Sequence, residues 1–229
     1  MKYKMICIDM DGTLLGKRKR ISERNKNAIK QAHDKGIEIV VTTGRLYNNA
    51  AYFSKLLGVD SPVIAANGAI VIDQKNNEVI YECGIPKDEC IKILKILIKY
   101  NSFFQFNTRN MIYCNNWITK TATKSYMTKQ HFFEHLQVEY EIVKSQECWI
   151  NIFNKEEVDK SIVFTPLKST MIKIKDEINK LNSVDCFASG DHSLEINYKD
   201  VSKGNAIKSL LDKYKIKEEE LVCIGDNEN

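Results

Sequence analysis

Met5-Ile6-Cys7-Ile8-Asp9-Met10-Asp11-Gly12-Thr13 is the stretch that decides the fold. Met5 to Ile8 reads as a buried strand, and the acids begin where that strand should end. Side chains two apart on an extended chain share a face, so Asp9 and Asp11 are expected to point one way and Met10 the other. Gly12 lets the backbone turn sharply. Two neighbouring carboxylates repel each other unless a cation or a shared proton relieves them. In an open α/β sheet, the carboxyl ends of the strands are where ligands bind. The pair therefore reads as a Mg2+ and phosphate site, against the plainer reading of Asp-Gly as turn chemistry.

Outward from this junction, strands and helices alternate. Ser22 is expected to cap a helix carrying Ala28, Ile29 and Ala32, which Gly36 closes. Residues 37–41 form a continuous β-branched run, the mark of a strand covered on both faces. A helix over 46–57 stops at Gly58, and a third buried strand over 62–66 ends at Asn67-Gly68. This order implies parallel pairing with right-handed crossovers. A β-hairpin follows, with arms at 69–72 and 79–81.

The style changes near Gly84. A helix to residue 100, strands at 103–106, 111–114, 162–164, 184–188 and 193–196, and helices at 129–136 and 168–181 suggest a separate α+β module. The first style returns at Ser202-Lys203-Gly204, with a helix to about 214 and a buried strand at 221–224 running into Gly225-Asp226. The domains are set at 1–83 for the first part of the core, 84–190 for the insert and 191–229 for the second part of the core. A doubly wound sheet normally continues past such a strand, so the C-terminal part of the core is expected to be missing and the chain to be a fragment.

Bulk properties narrow the function classes. The 229 residues are 28% charged and 43% hydrophobic, with a net charge of +4, ordinary values for a globular protein. No block of Lys and Arg is interleaved with aromatics, so nucleic acid is not expected as a partner. Lys17-Arg18-Lys19-Arg20 reads as a solvated loop that could help attract phosphate. Seven cysteines without a Cys-x-x-Cys argue for reduced thiols and a cytoplasmic location. Met1-Lys2-Tyr3-Lys4 leads straight into the first strand, so no secretory leader and no membrane association are read. Oligomeric state is not legible.

Three further clusters fall at expected strand ends. Thr42-Thr43-Gly44-Arg45 offers a hydroxyl, amides beside a glycine and a guanidinium, which together make a phosphate cradle. Lys203 opens a helix, where a cation is unfavourable unless an anion balances it. Asp226 lies where a fourth parallel strand would deliver it beside the first, and Asp9, Asp226 and a backbone oxygen would suit Mg2+.

As a set, residues 8–15, Thr43-Gly44-Arg45, Asn67-Gly68-Ala69, Leu194-Glu195-Ile196 leading to Ser202-Lys203-Gly204, and residues 225–229 give the chain its resemblance to known proteins. It resembles the haloacid dehalogenase-like phosphatases of the Cof type. The resemblance implies an α/β fold, a Rossmann-like parallel-sheet core with an inserted α+β cap domain. It implies a Mg2+-dependent phosphatase hydrolysing a small phosphorylated metabolite, sugar phosphates first. Asp9 would become an aspartyl phosphate, Asp11 would protonate the leaving oxygen and then activate water, Thr43 would bind phosphoryl oxygens, and Lys203 would neutralise their charge. Gly44, Arg45, Asn67 and Gly68 would line the phosphate pocket. Asp9, Asp11 through its carbonyl, Asp226 and Asn229 would serve the metal. Two rival readings are a catalytically inactive binding or scaffold protein of this fold and a receiver-like phospho-acceptor domain.

Other signals weigh less. His131 and His135 are spaced like a helical metal pair but lack a third ligand. Phe103, Phe104 and Phe106 read as core packing of the insert before they read as a substrate wall.

Overall fold

The computed structural model describes residues 2–16, 20–130 and 138–226. In chain order the elements are β1 (Met5–Asp9), α1 (Glu23–Asp34), β2 (Glu38–Thr42), α2 (Tyr47–Lys55), β3 (Val63–Ala65), β4 (Ile70–Asp73), β5 (Glu78–Glu82), α3 (Lys87–Lys99), β6 (Phe103–Asn107), β7 (Met111–Cys114), α4 (Trp117–Gln130), β8 (Glu139–Ile142), α5 (Gln146–Phe153), β9 (Lys160–Phe164), α6 (Lys168–Asn179), β10 (Val184–Gly190), β11 (Ser193–Tyr198), α7 (Lys203–Tyr214) and β12 (Leu221–Ile224). They fall into two compact units, Met1–Glu82 with Val201–Asn229, and Cys83–Asp200.

In the first unit the described strands run β12-β1-β2-β3-β4-β5. The first four are mutually parallel, and β4 and β5 return antiparallel. The apolar runs of β1 and β2 are continuous because helices cover both faces of the sheet. Ile8 packs in one layer with Ile29 of α1 and Phe53 of α2. Met5 and Cys7, of opposite parity, pack in the other with Ala206, Leu210 and Leu211 of α7. Fully burying a side chain such as Phe53 contributes about 1.5–3 kcal/mol, so these layers fix where the strand ends lie. α1 begins as its sequence implies: Ser22 Oγ accepts from Asn25 N at 3.1 Å, and Gly36 leaves the helix at φ +82°.

The second unit has its own sheet, β10-β11-β9-β6-β7-β8, antiparallel except between β7 and β8. Phe104 and Phe106 are buried in its core with Trp149 and Phe153, so these two rings serve packing. The Phe106 ring lies 5.2 Å from Trp149 and 4.9 Å from Phe153, centroid to centroid. β11 pairs with β9 and β10, which keeps it in this unit, and the chain re-enters the first unit at Val201, ten residues beyond the expected boundary at 191.

Three elements escape the hydrophobic pattern. β8 and α5 are short, and α4 buries hydroxyls where an amphipathic helix would bury apolar groups. Among the α4 residues whose burial is described, Thr119 and Thr123, four apart, are the buried ones, and Thr123 Oγ1 donates to Gln105 Oε1 at 2.5 Å. Residues 129–130 of the helix expected at 129–136 end α4, and its remainder, with His131 and His135, lies outside the described residues. Among the described residues, no helix is long and apolar enough to cross a membrane.

One carboxylate ties the second unit together and gives a pH prediction. Glu89 of α3 accepts from Lys92 Nζ and from Ser183 Oγ, each at 2.6 Å. Burial alone would raise its pKa, but the ammonium and the hydroxyl overcome it and hold the carboxyl below its ordinary range. A depressed carboxylate stabilises the fold above its unfolded pKa, and that contribution is lost as pH falls through the folded value. Ser183→Ala is expected to lower stability by about 1 kcal/mol at pH 7, with the gap closing below pH ~4, as read from denaturant midpoints.

Candidate active site

The parity of β1 aims Asp9. Met5 and Cys7 face α7, so Asp9, two residues on, faces its first turn. There Lys203 Nζ donates to Asp9 Oδ1 at 2.7 Å, with the two side chains only 10% and 15% exposed. A buried ammonium at a helix N-terminus is doubly unfavourable, and Asp9 supplies the compensating charge. Ser202, the residue before it, caps α7 by accepting from Asn205 N at 3.0 Å.

Asp11 behaves otherwise than strand periodicity suggests. β1 ends at Asp9, and the chain turns at Gly12, where φ is +84°. Asp11 therefore engages a different cation from Asp9. Arg45 Nε donates to Asp11 Oδ2 and Arg45 Nη2 to Oδ1, both at 2.7 Å. Arg45, expected in the phosphate cradle, is thus turned onto a carboxylate. Its Nη1 donates to Asn49 Oδ1 at 3.0 Å, and its guanidinium carbon lies 5.1 Å from the Phe53 ring centroid. Asn49 and Phe53 went unnoticed in the sequence, although they lie four apart on one face of α2, just after Arg45.

The remaining candidates surround these pairs. Thr43 is buried, its Oγ1 accepts from Arg45 N at 3.2 Å, and its carbonyl accepts from Asn67 N at 3.1 Å. After β3 the backbone passes through three left-handed residues, Ala66, Asn67 and Gly68, at φ 50°, 62° and 101°. Such strain in non-glycine residues persists only where surroundings hold it. Here Ala66 N donates to Arg45 O at 2.8 Å and Asn67 presses its side-chain oxygen against Gly44. Gly68 lies so close to Ser202 and Lys203 that a Cβ there would stand 2.8 Å from Lys203 N. A Cβ on Gly12 would likewise stand 2.8 Å from Asp226 Cγ. Asp226 gets there because β12 pairs parallel with β1, in register Ile8 with Ile224. Asp9, Thr43, Gly44, Asn67, Gly68, Lys203 and Asp226 therefore meet at one end of the parallel strands, and Asp11 joins them through Arg45. β3 ends in Ala65 followed by Ala66-Asn67, with no acid at the position a receiver-like domain would phosphorylate.

The family model for haloacid dehalogenase-like hydrolases matches residues 6–229. The chain belongs to the haloacid dehalogenase-like hydrolases. Relatives it matches along nearly its whole length are named as phosphatases. It is 30% identical to phosphatase YwpJ of Bacillus subtilis, over 99% of this chain and 84% of that protein. It is 28% identical to the 5-amino-6-(5-phospho-D-ribitylamino)uracil phosphatase YwtE of the same species, over 99% and 82%. A solved haloacid dehalogenase-like hydrolase from B. subtilis superposes with a TM-score of 0.79 at 26% identity, covering 98% of this chain and 83% of that one.

A haloacid dehalogenase-like phosphatase implies Mg2+, which prefers oxygen donors, few carboxylates, water and substrate phosphate. The missing Cβ of Gly12 leaves room for the Asp226 carboxylate against the Asp11-Gly12 backbone. Among the described residues no three His, Cys, Asp or Glu side chains converge as a metal cluster. A set of two carboxylates, Asp9 and Asp226, with a backbone oxygen fits a hydrated, phosphate-bound Mg2+. The Asp11 side chain, bonded through both oxygens to Arg45, is not part of that set, and Asn229 lies outside the described residues.

Proposed function

We propose that this chain is a cytoplasmic, Mg2+-dependent phosphomonoesterase acting on a small phosphorylated metabolite, sugar and polyol phosphates foremost, through an aspartyl phosphate on Asp9. The observation that carries the reading is the buried ion pair of Asp9 with Lys203 at the strand end. A carboxylate held against a lysine suits attack on a phosphoryl group whose charge that lysine then shares.

In the first step an Asp9 oxygen bonds to phosphorus, the bond to the leaving oxygen breaks, and Asp11 supplies the proton that oxygen needs. In the second, water bonds to phosphorus, gives a proton to Asp11 and displaces Asp9, releasing inorganic phosphate. Thr43 and the amides beside Gly44 would orient the phosphoryl oxygens. Asp9, Asp226 and the Asp11 carbonyl would hold Mg2+, which when bound neutralises phosphoryl charge.

Two observations support the substrate class and the compartment. YwtE is named for a substrate whose phosphate sits on a ribityl chain, a polyol phosphate. All seven cysteines are free thiols, as suits a reducing compartment.

The test is turnover of p-nitrophenyl phosphate and of a panel of sugar, polyol and nucleotide phosphates, with Mg2+ and after chelation. Activity should vanish with chelator and return with added Mg2+. Asp226→Asn should raise the Mg2+ needed for half-maximal rate by about tenfold or more, since a carboxylate ligand is lost. Turnover indifferent to Mg2+ would overturn the metal assignment. A panel without one hydrolysed phosphomonoester would overturn the function.

A further inference from the structure

We propose that Arg45 is a positioning residue that holds the Asp11 carboxylate for the activation of water, and not a ligand of the phosphoryl group. The inference rests on the phosphatase reading above and assigns Arg45 a task within it.

The guanidinium is fixed from three sides. It grips both Asp11 oxygens through Nε and Nη2 at 2.7 Å, reaches Asn49 Oδ1 through Nη1 at 3.0 Å, and lies 5.1 Å from the Phe53 ring. All three of its nitrogens thus donate within the protein. Asn49 and Phe53 are buried, and the Arg45 side chain is 8% exposed. An arginine that binds substrate phosphate would present its fork to the substrate, whereas this fork matches the planar geometry of a carboxylate.

Asp11 sits at the open end of the pair, 41% exposed where Arg45 is 8%. Water can reach it while its direction stays fixed. A carboxylate accepting through both oxygens is a proton acceptor, the form the second step requires. Water then bonds to phosphorus and passes its proton to Asp11, one N–H···O contact with Arg45 opening to make room. The next leaving oxygen takes that proton, and the contact re-forms.

The test uses Arg45→Met, which keeps an unbranched apolar side chain without the charge or the donors, and Arg45→Lys, which keeps the charge without the fork. p-Nitrophenol leaves with little help from an acid, so a defect in water activation should appear in the second step. For Arg45→Met we expect a burst of about one equivalent of p-nitrophenol, then a steady-state kcat reduced about 10–100-fold, with phosphoenzyme recoverable by acid quench. Arg45→Lys should recover part of that loss. Combined with Asp11→Asn, Arg45→Met should add no further slowing, because both act through one group. A raised KM at unchanged kcat would show Arg45 to be a phosphate ligand and overturn the inference. Additive slowing with Asp11→Asn, or no burst in either variant, would also overturn it. Should Arg45→Met not fold, Arg45→Lys carries the same burst and additivity tests. Absence of turnover in the unaltered chain would instead remove the phosphatase reading on which the inference stands.

Discussion

Asp9→Asn is expected to lower turnover of any phosphomonoester by at least about 10³-fold and to abolish acid-stable phosphoenzyme, because a neutral amide cannot form the acyl phosphate. The effect should be the largest of any single replacement that preserves the fold. Asparagine keeps the size of the side chain but removes the charge that balances Lys203, so a second consequence is testable. The Lys203 side chain is only 10% exposed and would be left as a buried cation without its carboxylate. Losing one partner of such a pair destabilises by roughly 3–5 kcal/mol. Asp9→Asn combined with Lys203→Met should restore much of that stability while remaining inactive. Turnover within tenfold of the unaltered chain would remove Asp9 from the role of nucleophile. Unchanged stability in the single variant would mean that the pair is better hydrated than its burial indicates.

Gly68→Ala should be nearly as severe by a different route. The residue sits at φ +101°, which L side chains rarely adopt, and an added Cβ would stand 2.8 Å from Lys203 N, with the Ser202 carbonyl in its path as well. The obstruction is backbone on both counts, so relief requires the start of α7 to move. That helix start carries the Lys203 ammonium to Asp9. We expect a stability loss of about 3 kcal/mol or more, and kcat lowered at least about tenfold in whatever fraction folds, since misplacing a charged group by an ångström weakens transition-state stabilisation. Differential unfolding and active-site titration separate the two effects. An unaltered melting point would show that the approach of this turn to α7 is looser than described.

Much of the first unit can be read from the residues alone, for a physical reason. Its parallel strands are covered on both faces, so they stand out as unbroken runs such as Ile39-Val40-Val41 between polar helix caps. The pairing of β12 beside β1 follows from the same rule. The second unit hides more. α4 buries hydroxyls and satisfies them with polar side chains, Thr123 with Gln105 and Thr119 with Asn115, a pattern that no apolar periodicity marks. The boundary at 191 failed because β11 is flanked by turn residues on both sides, and only its hydrogen-bonded neighbours say which sheet it joins. At the site, residue types announced which groups converge but not how they pair. Asp9 and Asp11 look equivalent in the sequence. Each takes a different cation because one is the last residue of β1 and the other is past its end.

The parallel contact of Met5 with Leu221 joins residues near opposite ends of the numbering. At ribosomal rates of about 5–20 residues per second, β1 waits some 10–40 s for that neighbour to be synthesised. All of Cys83–Asp200, a unit with its own sheet and core, emerges in the interval. Vectorial synthesis therefore favours an order in which the insert consolidates first and β1 keeps one exposed edge until late. High contact order of this kind slows closure and leaves β1 open to pairing with foreign chains. In a growing polypeptide the Asp9–Lys203 pair would form only once α7 arrives, after the insert has been made.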